Sequence, residues 1–310
     1  MTTASTSTKK RDTRRPSPDG GGRVATLYLA PFFVLFALVT IAPIIYSIKL
    51  SFFAEKHSGL GFGGVKTVFS GLGNYREVLQ SGSFVSGFAH LALYCLLYIP
   101  VMLVGATVFA LLVDATAARM RKTFQTLVFL PHAVPSVIAA LIWSYLFAPG
   151  ISPIVAALHS VGINVDLLSP HLVTGSIAGI GVWEWTGYNA IIIFTALQAV
   201  PHEILEAARV DGASELRATL SIKLPQVLPA LAVALLFTII GTLQLFTEPT
   251  IIAQSTSSVT SGWVPNMWAY NAAFNDHNLG QAAAASIIIA LVAAGMSFTV
   301  TRLSMKVNES

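Results

Sequence analysis

The feature that most constrains the fold is a series of six long apolar segments. Each is close to the ~20 residues that an α-helix needs to cross the hydrocarbon core of a bilayer. Only 10% of the residues are charged, against about 25% in a typical soluble domain, so a water-soluble fold would lack polar side chains to cover its surface. The sequence therefore predicts an all-α membrane protein with six transmembrane helices, at about 25–50, 86–113, 124–147, 172–198, 228–250 and 281–303.

Both ends of the chain are polar. Residues 1–23 are rich in Ser, Thr, Lys, Arg, Pro and Gly, so they cannot bury enough apolar surface to offset the entropy of ordering. We expect a disordered basic tail at 1–23, a six-span domain at 24–305 and a short C-terminal tail at 306–310. The first apolar segment is much longer than the ~7–15 apolar residues of a signal peptide, so it is interpreted as an uncleaved span.

The loop charges predict an orientation. Fourteen of the 18 Lys and Arg residues lie in the N-terminal tail, in the loops after spans two and four, and at the C-terminal end. The other four lie in or next to the loop after span one, on the opposite side of the membrane. The segments 148–171 and 251–280 contain no Lys or Arg. Since basic residues concentrate in cytoplasmic loops, we expect both termini and the loop between spans four and five to face the cytoplasm.

That last loop, 201–225, is short, polar and charged between two apolar segments. Its residues predict a helix over His202–Val210, a left-handed turn at Gly212, and a second helix that is capped by Ser214 and ended by Pro225. Small residues around the bend would let another backbone approach closely. The residue chemistry leaves two interpretations about equal: a docking knob for a partner, or a solvated loop lying on lipid headgroups.

A resemblance to a known family decides between them. E-A-A, three residues, glycine, nine residues and then I-x-L-P resembles the EAA loop of permease subunits of binding-protein-dependent ATP-binding-cassette (ABC) importers, and LQAVPHEILEAARVDGAS resembles the maltose-type carbohydrate-uptake branch. The stretches GLGNYREVL, FLPHAVPSVIAALIWSYLF and LGQAAAASIIIA agree in order, so the resemblance covers about 25–305. It implies a type I ABC importer permease fold in which this loop is the coupling helix. The implied ATPase-coupling residues are Glu206, Ala207, Ala208, Asp211, Gly212, Ile222, Leu224 and Pro225.

The resemblance also implies a function and partners. In that family the coupling helix sits in a cleft of a cytoplasmic ATPase subunit, so Glu206 would be the ionic contact and Gly212 would permit close seating, whereas Ile222, Leu224 and Pro225 would mainly pack and end the helix. The chain would work with a second permease subunit, two ATPase subunits and an extracellular solute-binding protein. Together they would move a sugar, expected to be a disaccharide or oligosaccharide, across a bacterial cell membrane by alternating access.

The chain itself is expected to be non-catalytic. It lacks the G-x-x-x-x-G-K-[ST] motif, so ATP and Mg²⁺ would be bound by the partner ATPase and no cofactor is expected here. Neither H-E-x-x-H nor G-x-S-x-G occurs, and the histidines are dispersed, so no catalytic or metal site is predicted. The basic residues are scattered rather than gathered on one face, so nucleic acid is not an expected partner.

Polar residues inside spans four and five mark a candidate sugar pathway, in GVWEWTGYNA and FTIIGTLQLFTEP. Intramembrane polar groups are costly and usually face a cavity, and sugars suit carboxylate and amide groups beside aromatic faces. Both segments also match the spans that line the pathway in the maltose-type family. Alternatively, Trp183 and Trp185 lie in an interfacial belt and Glu184 pairs with a partner's basic group. The expected pathway residues are Glu184, Tyr188 and Thr242, together with Trp185, Asn189 and Gln244.

Two other functions compete with this hypothesis. A secondary active transporter not coupled to ATP is the alternative, but it would be expected to show duplicated halves, and none is found. An intramembrane enzyme lacks its catalytic constellation. The cargo stays open: glycerol phosphate or an amino sugar is possible, although few basic residues lie near the pathway. The segment 251–280 departs from the T-x-G-G-P stretch that the family often has there, so its contacts with a binding protein are not predicted.

Overall fold

Apolar helices make up most of the chain. The computed structural model describes residues 18–57, 65–115 and 118–308. Within that part of the chain, four helices are long and apolar enough to cross a membrane, and two pairs of helices joined by sharp bends raise the number to six if each pair is one span. The structure therefore agrees with six predicted spans, and it divides into two units between Lys49 and Leu50.

The first unit is an apolar helix that passes a proline without ending. Helix α1 (Pro18–Phe36) runs through a π turn (Ala37–Ile41) into α2 (Ala42–Ser51). In the π turn, the N–H of Ala42 donates to the carbonyl of Ala37, five residues earlier. In a regular α-helix the ring of Pro43 would clash with the carbonyl four residues before it. Here that carbonyl lies in the wider π turn, so the helix continues past the proline. The predicted tail boundary at 23 falls inside α1, and residues 1–17 lie outside the described part of the chain.

A small β-hairpin follows, which the prediction of an all-helical chain missed. Strands β1 (Phe53–His57) and β2 (Val65–Phe69) pair antiparallel, with Phe53 opposite Phe69. The rings of these two residues are 5.5 Å apart in an edge-to-face arrangement, which favours cross-strand pairing. Both strands belong to the second unit and lie next to the short helix α3 (Gly73–Gln80).

The core of the second unit is the crossing of α4 (Gly82–Ala115) with α8 (Val173–Leu197). Small residues let the two backbones approach: a Cβ placed on Gly105 would lie 3.4 Å from the methyl carbon of Thr186. Close approach at small residues is how helices associate when lipid removes the hydrophobic driving force. The buried face of α4 recurs every three or four residues, at Leu91, Tyr94, Tyr98, Met102, Ala106 and Ala110.

The third predicted span, 124–147, is not one straight helix. Helix α5 (Ala118–Phe129) ends in a 3₁₀ turn (Leu130–Ala133), and α6 (Ser136–Phe147) leaves at a bend of 88°. Pro135 causes the break, because a residue that precedes proline avoids the helical region; Val134 is extended, with φ −78° and ψ 127°.

The fifth predicted span, 228–250, is shifted toward the N-terminus. The helix is continuous from Glu215 to Thr242 and then breaks. The prediction that Pro225 ends the second hairpin helix was therefore wrong. As in the first unit, a π turn (Thr219–Lys223) precedes the proline, and the N–H of Leu224 donates to the carbonyl of Thr219, so the chain continues as a helix.

Shorter elements complete the second unit. Away from the crossing of α4 with α8, a smaller apolar cluster joins α3 and the start of α4 to two helices near the C-terminus through buried Val78, Phe84, Ala269 and Ala284. The remaining helices are α7 (Pro153–Ser160), α9 (His202–Val210), α10 (Glu215–Ala218), α11 (Leu224–Thr242), α12 (Thr247–Ile252), α13 (Pro265–Phe274) and α14 (Leu279–Asn308).

Candidate functional site

A cavity of about 340 Å³ lies between α4, α8, α11 and the segment that follows α11. The sequence placed the candidate pathway on two spans that are far apart along the chain. The structure brings both stretches to the wall of this one cavity, because α11 packs against α8. All six predicted pathway residues line it: Glu184, Trp185, Tyr188, Asn189, Thr242 and Gln244.

Glu184 is the most buried charged residue of the cavity wall. Glu184 is 5% exposed, and its Oε2 atom has no hydrogen-bond partner within the described residues. A buried carboxylate oxygen without a donor is costly, so this atom is suited to accept a hydrogen bond from a molecule in the cavity. The alternative, a basic group from a partner subunit, would satisfy the same atom.

Aromatic rings line the same cavity. The imidazole of His132, in the bend between α5 and α6, lies 4.7 Å from the rings of both Trp185 and Tyr188. These two side chains are 39% and 40% exposed, so His132 holds them from one side while their other surfaces remain accessible. Trp183 instead packs on Trp143 of α6, at 5.8 Å.

Two further polar groups of the wall present hydrogen-bond acceptors. The hydroxyl of Thr242 donates to the carbonyl of Thr238 at 2.7 Å, one turn earlier in α11. The amide nitrogen of Asn189 donates to the carbonyl of Trp185 at 3.1 Å. Because the Thr242 hydrogen and one of the two amide hydrogens of Asn189 are used within their own helices, the hydroxyl lone pairs and the amide oxygen are acceptors that a ligand can use. The wall is therefore suited to a ligand that is rich in hydroxyl donors.

Sequence reasoning missed one side of the cavity. Tyr94 and Tyr98 of α4 line it and stack on each other with 5.2 Å between ring centroids. They reach α8 where it carries Gly181, since a Cβ there would lie 2.5 Å from the Tyr94 hydroxyl. Two tyrosines one helical turn apart in an otherwise apolar span were the available signal. Phe246 was also missed.

The wall contains two acidic side chains and no basic one. Glu248 of α12 lies in it together with Glu184, and the lining residues include no Lys, Arg or His. No group of metal-ligating residues is found in the described part of the chain. The cavity thus combines two carboxylates, hydroxyl and amide acceptors, and aromatic rings.

A second candidate site is the hairpin between α8 and α11. The predicted helix over His202–Val210, the left-handed turn and the cap are confirmed: Gly212 has φ +81°, and the Ser214 hydroxyl accepts from the N–H of Arg217 at 3.3 Å. The N–H of Ala213 donates to the carbonyl of Ala208 at 2.9 Å. This is the Schellman arrangement that ends a helix at a glycine.

The hairpin presents its predicted coupling residues outward. Arg209 is held by Glu215 across the bend at 2.8 Å, whereas Glu206 has no ion-pair partner within the residues described. Its carboxylate is therefore available to a cation on another protein. Glu206, Ala207, Asp211, Gly212 and Pro225 are exposed, while Ala208, Ile222 and Leu224 are half-buried.

Comparisons with known proteins agree with this architecture. The chain is 28% identical over 277 residues to the probable ABC transporter permease protein YurN of Bacillus subtilis, covering 87% of this chain and 92% of that protein. It is 25% identical to the lactose transport system permease protein LacF of Rhizobium radiobacter, covering 88% and 91%.

Solved structures show the fold. A chain of a bacterial ABC transporter involved in the import of the acidic polysaccharide alginate superposes with a TM-score of 0.78 at 22% identity, covering 93% of this chain and 98% of that chain. A structure of a bacterial alginate ABC transporter in complex with an alginate pentasaccharide-bound periplasmic protein matches equally well, with a TM-score of 0.78 at 21% identity, covering 94% of this chain and 98% of that chain. This likeness confirms the predicted type I ABC importer permease fold. Residues 106–308 match the family described as the binding-protein-dependent transport system inner membrane component, and the chain belongs to that family of membrane permeases.

Proposed function

We propose that this chain is a transmembrane permease subunit of an ATP-driven importer that moves a sugar into the cytoplasm. The observation that carries the proposal is the cavity between α4, α8 and α11, whose wall combines hydrogen-bond acceptors with aromatic rings. Aromatic faces cover the apolar side of a sugar ring, and acceptors meet its hydroxyl groups. Lactose in the printed name of one relative and alginate in that of the structural neighbour support a carbohydrate.

The charge of the wall favours a neutral sugar over an acidic one. An anionic sugar would need a basic partner, and this chain's lining residues, which include the acidic Glu184 and Glu248, supply none. A di- or oligosaccharide without carboxylate or phosphate groups fits these conditions. In this respect the chain would differ from the alginate importer, whose cargo is acidic.

Transport would be driven through the hairpin. The exposed carboxylate of Glu206, next to the small residues Ala207 and Gly212, would dock on a cytoplasmic ATPase subunit that binds ATP and Mg²⁺. Closure of two ATPase subunits would move the hairpin and tilt the spans joined to it, so that the cavity opens alternately to each side. A second permease subunit would complete the pathway, and an extracellular binding protein would deliver the sugar.

This arrangement requires the hairpin and both termini to face the cytoplasm. The distribution of basic residues supports that orientation, since 14 of the 18 Lys and Arg residues lie on the side of the hairpin. The segments 148–171 and 251–280, which contain no Lys or Arg, would then face the binding protein.

The test is uptake by the complete importer in proteoliposomes, with ATP on the hairpin side and with lactose, trehalose and a uronic acid disaccharide as probes. Glu184→Gln removes the charged acceptor, so we expect uptake of the transported sugar to fall about tenfold, in line with the ~1.5–3 kcal/mol of a hydrogen bond to a charged group. The matched control is Glu77→Gln, which changes an exposed carboxylate on α3 and should leave uptake unchanged.

Three outcomes would overturn the proposal. Uptake that continues without ATP and stops with an uncoupler would identify a secondary transporter. Uptake of the uronic acid disaccharide alone would refute a neutral cargo. If Glu184→Gln and Glu77→Gln transport equally well, the cavity is not the sugar site. Separately, Glu206→Lys should abolish recovery of the ATPase subunit with the permease.

A further inference from the structure

A single carboxylate fastens both stems of the hairpin to another helix. Asp114 lies in the last turn of α4, and its Oδ2 is 2.5 Å from Nζ of Lys223. Its Oδ1 accepts a hydrogen bond of 2.8 Å from the side-chain amide of Gln198. Gln198 directly follows α8, where the hairpin begins, and Lys223 directly precedes α11, where it ends. We call Asp114, Gln198 and Lys223 the hairpin clamp.

The charged pair of the clamp is shielded from solvent, whereas Gln198 is exposed. The side chains of Lys223 and Asp114 are 16% and 13% exposed, whereas the surface pair of Arg209 and Glu215 within the hairpin is 60% and 72% exposed. An exposed pair contributes little, because solvent screens it and both side chains move freely. A shielded pair with both oxygens bonded holds one geometry, and loss of either charge leaves the other uncompensated.

A further contact connects the clamp to α5. Arg121 of α5 donates from Nη2 to the backbone carbonyl of Asp114 at 3.1 Å. Its guanidinium carbon lies 5.6 Å from the ring centroid of Phe194, in the last turn of α8. The ends of α4, α5, α8 and α11 are thus tied together at the base of the hairpin.

The other end of this connection is the cavity. Helix α4 extends from Gly82 to Ala115 and stays helical through Pro100, so Asp114 and the cavity-lining Tyr98 belong to one helix. They are separated along it by roughly 24 Å at 1.5 Å per residue. The hairpin is covalently joined only to α8 and α11, and without the clamp α4 would follow its movement through apolar packing alone.

We infer that Asp114 is a positioning residue that transmits movement of the hairpin to α4, and thereby to the tyrosine wall of the cavity. The inference rests on the proposed function, since the hairpin must be moved by an ATPase. It assigns to Asp114, Gln198 and Lys223 a role in coupling, although none of them has to touch the ATPase or the sugar.

The test measures hydrogen exchange by mass spectrometry in the complete importer, with and without trapping by ADP and vanadate. Two segments are compared, the hairpin at 202–218 and the end of α4 at 105–115. With the wild-type chain we expect trapping to change exchange in both segments. With Asp114→Asn the hairpin should still respond, but the response of α4 should fall about fivefold or more, at the lower end of coupling factors between sites.

Rescue and control variants separate transmission from simple loss of stability. Exchanging the charges, with Asp114→Lys and Lys223→Asp in one chain, should restore part of the α4 response that either single variant loses. Glu77→Gln, which changes an exposed carboxylate bonded to Gln281 at 2.6 Å, should respond as the wild type does. In the variants whose α4 response is reduced, the amount of sugar taken up per ATP hydrolysed should also fall.

Each remaining outcome is decisive. A normal α4 response in Asp114→Asn, or a charge exchange no better than the single variants, overturns the inference. If Asp114→Asn does not assemble, Gln198→Ala decides, because it removes one hydrogen bond without leaving an unpaired charge; an unchanged α4 response in that variant also overturns it. A wild-type hairpin that does not respond to trapping refutes the proposed docking itself, and the clamp with it.

Discussion

Replacing Gly187 with Ala should force α8 away from the end of α5. A Cβ at this position would overlap the carbonyl oxygen of Val128, would lie 2.6 Å from the carbonyl carbon of that residue and would lie 3.1 Å from Cα of Phe129. All three atoms belong to the backbone, so no side-chain rotation can relieve the overlap. The helices must separate, and this separation also displaces the aromatic wall of the cavity next to Gly187.

The magnitude follows from comparison with a second glycine of the same helix. A Cβ on Gly179 would meet no atom within 4 Å, and Gly→Ala inside a helix stabilises by about 1 kcal/mol at either site. Overpacking costs about 1–3 kcal/mol, and more where backbone has to move. Since the helix-propensity gain is common to both variants, their difference isolates the overlap, and we expect Gly187→Ala to be less stable by about 3 kcal/mol.

The assay is thermal unfolding of the detergent-purified protein, followed by intrinsic fluorescence. At about 2–4 °C per kcal/mol for a domain of this size, Gly187→Ala should melt roughly 6–12 °C below Gly179→Ala. If the two variants melt together, or if Gly187→Ala melts higher, the close contact between α8 and the end of α5 does not exist in the protein.

Two further predictions concern the hairpin and the hydrogen bonds that connect α3 to Ser51 and Phe53. Gly212→Ala places a Cβ at φ +81°, which costs about 1–2 kcal/mol, so recovery of the ATPase subunit with the permease should fall. The control is Gly175→Ala, whose Cβ would meet no atom within 4 Å and which should leave that recovery unchanged. Asn74 is 2% exposed and donates to the carbonyls of Ser51 and Phe53 at 2.8 and 2.9 Å. Asn74→Ala should therefore lower stability by about 1–3 kcal/mol, measured as a fall in melting temperature, and an unchanged melting temperature would contradict this.

The parts of the fold that sequence reasoning predicted correctly depend on local chemistry. A long apolar segment has to become a helix in lipid, because its amides must be hydrogen-bonded internally. The hairpin was predicted residue by residue because a glycine with positive φ and a serine cap act within one helical turn. Pro225 shows the limit of such rules: a π turn two residues earlier lets the helix pass it.

The candidate cavity was predicted in part for a related reason. A carboxylate inside an apolar span is costly wherever it lies, so Glu184 marks a polar site without knowledge of its neighbours. Tyr94 and Tyr98 carry no such cost at the edge of an apolar face, and their place in the wall depends on which side of α4 meets Gly181 of α8.

The sequence by itself determined the membrane class, the apolar spans, the helix–turn–helix form of the hairpin and the polar residues of α8 and α11 that line the cavity, because hydropathy, turn chemistry and motif spacing are properties of short stretches. Only the tertiary structure decided the 88° bend of the third span, the tyrosine side of the cavity and the hairpin clamp. Asp114 and Lys223 are distant in the chain and unremarkable in composition. They form a shielded pair because helix packing brings the end of α4 between the two stems of the hairpin, and packing depends on the shapes of facing helices rather than on any one of them.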